Sequence, residues 1–267
     1  MVGQEKIQKL IADLTLENFP NPLLLYGEWG CGKSLVSHTI ANKFNLEFKD
    51  ISESLILETL DDAYINPTPA LYYINTEIFL SGNKVDRATN VILKFLEEPP
   101  KNAFIILSCT NPNRLKNTIT NRCQAWGFVP YSIEELKKFT EDDSLLEIAH
   151  TPGQIISYSE QPIKEMIDYA NSILDKLHLA TPSNTFKIEN KLSFKPPVEK
   201  NTYDVSIFMR VFVFCASKRC VDNFSEKSAS IYKIIQKMNE DIQVPYVSKD
   251  YIFSRYLMKL WKCAHES

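Results

Sequence analysis

The chain has 267 residues, 44% hydrophobic and 24% charged, the balance of an ordinary globular protein, which excludes collagen-like, low-complexity and disordered classes. Thirty Lys and Arg against thirty-three Asp and Glu give a formal charge of -3, so no global field draws the protein to nucleic acid or an anionic membrane. The opening MVGQEKIQKL has no apolar core of a secretory signal, and no apolar run nears the roughly 18 residues of a membrane span, so a cytoplasmic protein without membrane contact is expected.

Ile7, Leu10, Ile11 and Leu14 recur at helical spacing, and Asn18–Pro22 ends that pattern before the apolar run Leu23–Tyr26. This predicts a helix, a turn and a buried strand. After a glycine-bearing loop come a helical pattern over Ser34–Phe44, a strand over Glu47–Asp50 and a helix over Leu55–Tyr64. Ala70–Ile74 reads as a buried strand, Lys84–Glu98 as a long helix halted by Pro99 and Pro100, and Phe104–Ser108 as another apolar strand. Alternating strands and helices imply parallel strands with right-handed crossovers: an α/β domain of three layers over residues 1–130, with ligands at the carboxyl ends of the strands.

Beyond Pro130 the strand signals fade. Ile133–Thr140, Leu145–His150 and Ile163–Leu177 predict a small helical domain over residues 131–180. Thr181–Lys200, with Pro182, Pro196 and Pro197, reads as a partly extended connection, and Tyr203–Cys220, Ser225–Asp241 and Val247–Cys263 as the helices of a terminal domain over 181–267. Within the first of these, Val205–Phe214 alone resembles a strand, and its aromatics suit a core or an interface. Cysteines 31, 109, 123, 215, 220 and 263 include no CxxC pair, so free thiols are expected in place of a zinc ribbon or redox dithiol.

Gly27-Glu28-Trp29-Gly30-Cys31-Gly32-Lys33-Ser34 matches GxxxxGK[ST] between an apolar strand and a helix. Its glycines let the backbone curl so that N–H groups face phosphate oxygens, and the positive end of the following helix adds to that attraction. Three of the seven glycines in the chain lie in this loop. The pattern predicts ATP or ADP with magnesium, Lys33 reaching the β and γ phosphates and Ser34 ligating the metal. Trp29 is expected to pack beside the loop, with shielding of the site or stacking on adenine as its other roles.

Further along, Asn90-Val91-Ile92-Leu93-Lys94-Phe95-Leu96-Glu97-Glu98-Pro99-Pro100, Phe104–Pro112 and Thr118-Ile119-Thr120-Asn121-Arg122-Cys123, together with Val2-Gly3-Gln4, resemble the AAA+ subunits of bacterial clamp loaders. The resemblance covers residues 1 to about 155 well and the rest only in general plan, a lid followed by a collar. It implies a hetero-oligomer with gamma/tau-like motor and delta-like subunits, a sliding clamp and primed DNA as partners. It also implies that Arg122 is an arginine finger offered to a neighbour's nucleotide and that Thr110 is the sensor 1 residue.

The departures sharpen the expectation. Where hydrolysing members of that family carry two acids, this chain reads Leu71-Tyr72-Tyr73-Ile74-Asn75-Thr76-Glu77, with Asn75 at the metal-orienting position and Thr76 at that of the general base. Loss of one positioned base removes about 10²- to 10⁴-fold in rate, so little or no hydrolysis is expected of the chain alone. Glu77 substitutes only if the strand register slips, and period-two alternation changes the way it then faces. Asn121 replaces the family's Ser before the finger, and no Arg follows Thr151-Pro152-Gly153-Gln154 at the sensor 2 position, as in a rigid stator subunit. Lys84 and Arg87 open the helix that in the family faces DNA, although a solvated helix start is the favoured account of them. Two other functions fit the loop: an ATPase in which Glu77, Asp61 or Asp62 supplies the acid, and a small-molecule kinase, which the helical tail and missing acceptor site disfavour.

Overall fold

The structure, a computed structural model, describes residues 2–51, 63–78, 92–177, 191–194, 202–242 and 248–265. The expectations for 55–62, 84–91 (with Lys84 and Arg87), 181–190 and 195–200 lie outside those residues. The chain divides into two compact units, Met1–Phe139 with His150–Gln154, and Thr140–Ala149 with Ile155–Ser267.

In the first unit the strands are β1 (Leu23–Tyr26), β2 (Glu47–Ile51), β3 (Ala70–Asn75), β4 (Ala103–Cys109) and β5 (Gln124–Gly127). They form one sheet in the order β2-β3-β4-β1-β5, every pair parallel. The helices are α1 (Glu5–Asp13), α2 (Lys33–Lys43), α3 (residues 92–97), α4 (Asn117–Thr120) and α5 (Ile133–Leu136), and residues 63–65 are also helical.

Alternation along each strand builds two cores. Leu23, Leu25, Leu71, Tyr73 and Ile106 bury on one face with Ile7 and Ile11 of α1 and Val36 and Ile40 of α2. Leu24, Tyr72, Ile74, Ile105 and Leu107 bury on the other with Ile92, Phe95 and Leu96 of α3 and Ile119 of α4. A sheet covered on both faces needs continuous apolar runs, which these strands have. Edge strand β5 was not legible, because Gln124 and Ala125 are exposed and only Trp126 is buried.

In the second unit, α6 (Asp143–Ile148) and α8 (Ile163–Lys176) precede a hairpin-like run of α9 (Val205–Asp222), α10 (Glu226–Ile242) and α11 (Lys249–His265); α7 (Pro152–Ser159) crosses the division between units. α9 packs on α8 and α10, and α10 on α11. The ambiguous Val205–Phe214 is helical: Asp204 caps it by accepting from the amides of Ser206 and Ile207, and Phe208 and Phe212 are buried one turn apart. Leu192–Ser193 (β6) pairs in parallel with Tyr203–Asp204 (β7), which the sequence did not indicate. Among the described residues no helix is long and apolar enough to cross a membrane.

Candidate functional site

The loop Gly27–Gly32 leaves the carboxyl end of β1 and runs into α2. Gly27, Gly30 and Gly32 take φ of 157°, 82° and 103°. The last two lie in the left-handed region that side chains avoid. Gly32 also caps α2 with no side-chain bond, and a Cβ there would meet nothing nearer than Phe128 at 3.9 Å, so the face of the loop at the helix start is open.

Each carbonyl from residue 27 to 31 accepts from a group of the protein. The Lys33 ammonium donates to Gly27 O at 2.6 Å and Glu28 O at 3.0 Å, and stands 3.7 Å from the Cys31 sulfur. Thr151 Oγ1 donates to Trp29 O at 2.8 Å, Gly153 N to Gly30 O at 3.0 Å, and the Tyr131 hydroxyl to Cys31 O at 2.8 Å. A trans peptide points its N–H opposite its C=O, which leaves the amides of Gly30 and Gly32 outward, whereas the Cys31 amide donates to Glu28 O at 3.3 Å within the loop. Among the described residues no protein acceptor meets the amides of Gly30 and Gly32. This geometry fits a polyphosphate. Lys33 is folded on its own loop, and reaching a phosphate requires it to leave two carbonyls. Ser34 is exposed at the first turn of α2. For a metal the fit is poorer: among the described residues no cluster of three acidic, His or Cys groups exists, which leaves the Ser34 hydroxyl and the neutral Asn75.

Residues 150–154 grip the loop from outside, a feature the sequence reading missed. Gln154, fully buried, donates through Nε2 to Glu28 Oε1 at 2.8 Å and accepts from the His150 amide at 2.7 Å. Gln4, also buried, exchanges both amide bonds with the backbone of Val129 at 2.8 and 3.0 Å, giving the Val2-Gly3-Gln4 signature a structural role. Trp29 does not pack beside the loop: it is 48% exposed, and only its carbonyl is engaged.

At the neighbouring strand ends, β3 and β4 keep regular register through Asn75 opposite Ser108, so no slip occurs. The chain instead leaves β3 in a 3-10 turn, Thr76–Ile78. Asn75 Oδ1 accepts from Glu77 N at 3.2 Å, and the buried Thr76 hydroxyl donates to Ser108 O at 2.8 Å, turned inward. That turn carries the Glu77 carboxylate to Thr110, whose amide and hydroxyl both donate to Oε1 at 2.6 Å. Burial pushes the Cys109 thiol up to about 11, Glu77 raising it further and Lys33 pulling it down, so both charges act at this end of the sheet. Cys31 is likewise pushed up by burial and drawn back by Lys33. All six cysteines are free. Arg122 stands apart from this group, exposed after α4, with Glu97 and Thr118 as its partners.

Two solved structures share the fold. A DNA polymerase III gamma subunit-related protein of Thermotoga maritima matches with a TM-score of 0.56 and 11% identity, over 98% of this chain and 99% of its own. The RuvB Holliday junction branch migration motor of the same organism matches at 0.51 and 15% identity, over 97% and 88%. The parallel sheet, the glycine loop between β1 and α2 and the helical second unit define a P-loop α/β fold followed by helices.

Sequence comparisons narrow the class. The family described as "DNA polymerase III, delta subunit" matches residues 82–132. DNA polymerase III subunit gamma of Buchnera aphidicola (from Schizaphis graminum) is 24% identical over 91% of this chain and 72% of its own length, and subunit tau of Bacillus subtilis 27% identical over 48% and 28%. Subunit delta' of Bacillus subtilis is 49% identical over 60 residues, 22% of this chain and 17% of its own. The chain is thus similar in sequence to DNA polymerase III subunits gamma, tau and delta', spanning 72% of the length of one gamma relative and 28% of that of tau.

Proposed function

We propose that the chain is a delta prime-like subunit of a clamp loader in the cytoplasm, binding ATP or ADP with magnesium but hydrolysing little by itself. On this reading it assembles with gamma/tau-like motor and delta-like subunits to help place a sliding clamp on primed DNA. Residues 1–130 form the nucleotide-binding domain, 131–180 the lid and 181–267 the collar. The observation carrying the proposal is a complete phosphate loop beside strand ends where Asn75 and Thr76 hold a turn and neither presents a charge. The amides of residues 28–32 and Lys33 bind phosphate, Ser34 offers its hydroxyl to magnesium, and Thr110 lies at the end of β4. No neutral side chain at position 75 or 76 accepts a proton from water. Arg122 acts outward, its guanidinium stabilising charge on phosphoryl oxygens held by a neighbour, a contribution of about 10³- to 10⁵-fold.

The experiment mixes the chain with its motor subunits and compares stimulated ATP turnover for wild type and Arg122→Ala. A large loss with Arg122→Ala is expected; unchanged turnover removes the finger assignment. One second reading has an observation in its favour: Glu77 stands as a carboxylate at the end of β3. If it supplies the missing acid, the isolated chain turns over ATP and Glu77→Gln abolishes that turnover.

A further inference from the structure

Arg122 is anchored twice on its own chain. Nη2 donates to Glu97 Oε1 at 2.6 Å, and Nη1 to Thr118 O at 2.5 Å. The acceptors belong to different elements, Glu97 to α3 and Thr118 to α4. Both elements are bedded in the same core, α3 through Ile92, Phe95 and Leu96, and α4 through Ile119 with Leu115 and Cys123 at its flanks. The two side chains themselves are 36% and 49% exposed. An ion pair so exposed adds little to folding stability. What it does fix is direction. A guanidinium has five N–H donors in a rigid fork, and two anchors leave the others committed to one orientation. A long side chain held in place before its partner arrives loses less rotamer freedom on meeting an anion.

We propose that Glu97 is a positioning residue for Arg122, holding its guanidinium aimed away from α4 at the phosphates of a nucleoside triphosphate carried by a neighbouring subunit. This rests on reading Arg122 as a finger that acts in trans. Glu97 itself touches neither nucleotide nor reacting atoms.

The test measures ATP turnover of the assembled complex for wild type, Arg122→Ala, Glu97→Ala, Glu97→Gln and the double variant Glu97→Ala/Arg122→Ala. Glu97→Ala is expected to lower kcat about three- to tenfold with KM for ATP unchanged, the cost of a finger present but no longer aimed. Glu97→Gln, which keeps an acceptor oxygen, recovers part of that loss, and Glu97→Ala has no further effect once Arg122 is gone. If Arg122→Ala lowers turnover but neither Glu97 variant does, the positioning role is overturned and the finger stands. An equal loss from Glu97→Ala with or without Arg122 also overturns it, since Glu97 then acts on the fold. Unchanged turnover in Arg122→Ala removes both ideas. Should Glu97→Ala fail to assemble, Glu97→Gln decides by the same comparison.

Discussion

Gly153→Ala separates the grip on the phosphate loop from ordinary helix chemistry, because the two predict opposite signs. Gly153 is the second residue of α7, and in a helix with open space around it Ala stabilises by about 1 kcal/mol. Here a Cβ would lie 2.5 Å from Gly30 Cα, 2.9 Å from its carbonyl oxygen and 3.2 Å from its carbonyl carbon. All three are backbone atoms, and Gly30 is held at this distance by the Gly153 amide, which donates to its carbonyl at 3.0 Å. With backbone atoms at 2.5 and 2.9 Å the cost lies in the upper part of the overpacking range, about 2–3 kcal/mol, so a destabilisation of the order of 1–2 kcal/mol is left after the helix gain of about 1 kcal/mol is subtracted. In a unit of this size that lowers the midpoint by about 2–8 °C, measurable by calorimetry or near-ultraviolet circular dichroism. Nucleotide affinity should fall with it, because the Gly153 N to Gly30 O bond of 3.0 Å has to lengthen. A variant as stable as wild type or more so refutes the clasp.

Cys109 should hold its proton to about pH 11 and Cys123 to about 12, both mainly through burial, so at pH 8 a haloacetamide finds only about 10⁻³ of Cys109 as thiolate and labels it only after unfolding. The linkage has a definite sign: an unfolded Cys109 ionises from its ordinary 9.0, so the stability it contributes is complete below pH 9 and is lost as pH rises through about 11, seen as a falling urea midpoint. Rapid labelling of native Cys109 at pH 8 contradicts this. Phe212→Ala, which empties a fully buried site stacked on Phe208 with centroids 5.7 Å apart, should cost the helical unit about 3–5 kcal/mol; a denaturation midpoint within error of wild type would show that α9 is not its core.

The sequence reached β1, β3 and β4 because a strand covered on both faces must be apolar at every position, and it reached the loop because phosphate binding needs glycines at fixed offsets. It missed β5, where one buried residue gives no period to count. It also missed the contacts that define the site. Glu77 meets Thr110 across 33 positions, Gln154 meets Glu28 across 126 and Arg122 meets Glu97 across 25, and no local pattern encodes a side-chain bond between elements. Period-two alternation does not decide where Glu77 faces: it governs a residue inside a strand, and Glu77 has already left β3 in a 3-10 turn.

That turn also bears on the proposal that the loop binds nucleotide while the chain hydrolyses little. Thr76 turns its hydroxyl inward to Ser108, and Asn75 spans the turn, so the two positions that would face metal and water are occupied in shaping the backbone. The Glu77 carboxylate accepts two bonds on one oxygen from Thr110, which commits both the Thr110 hydroxyl and half of the acid's acceptor capacity within the chain. The loop, by contrast, is held through its carbonyls, by Lys33 within and by Tyr131, Thr151 and Gly153 without, through the Glu28 carboxylate by Gln154, and through the Gly27 amide by Cys109 O, while the amides of Gly30 and Gly32 stay outward. The groups that line the loop and those at the ends of β3 and β4 are therefore separate sets in this chain, and substitution at Glu77 or Thr110 should leave nucleotide affinity, measured by calorimetry, as in the wild type; a large loss would show that the two sets act together.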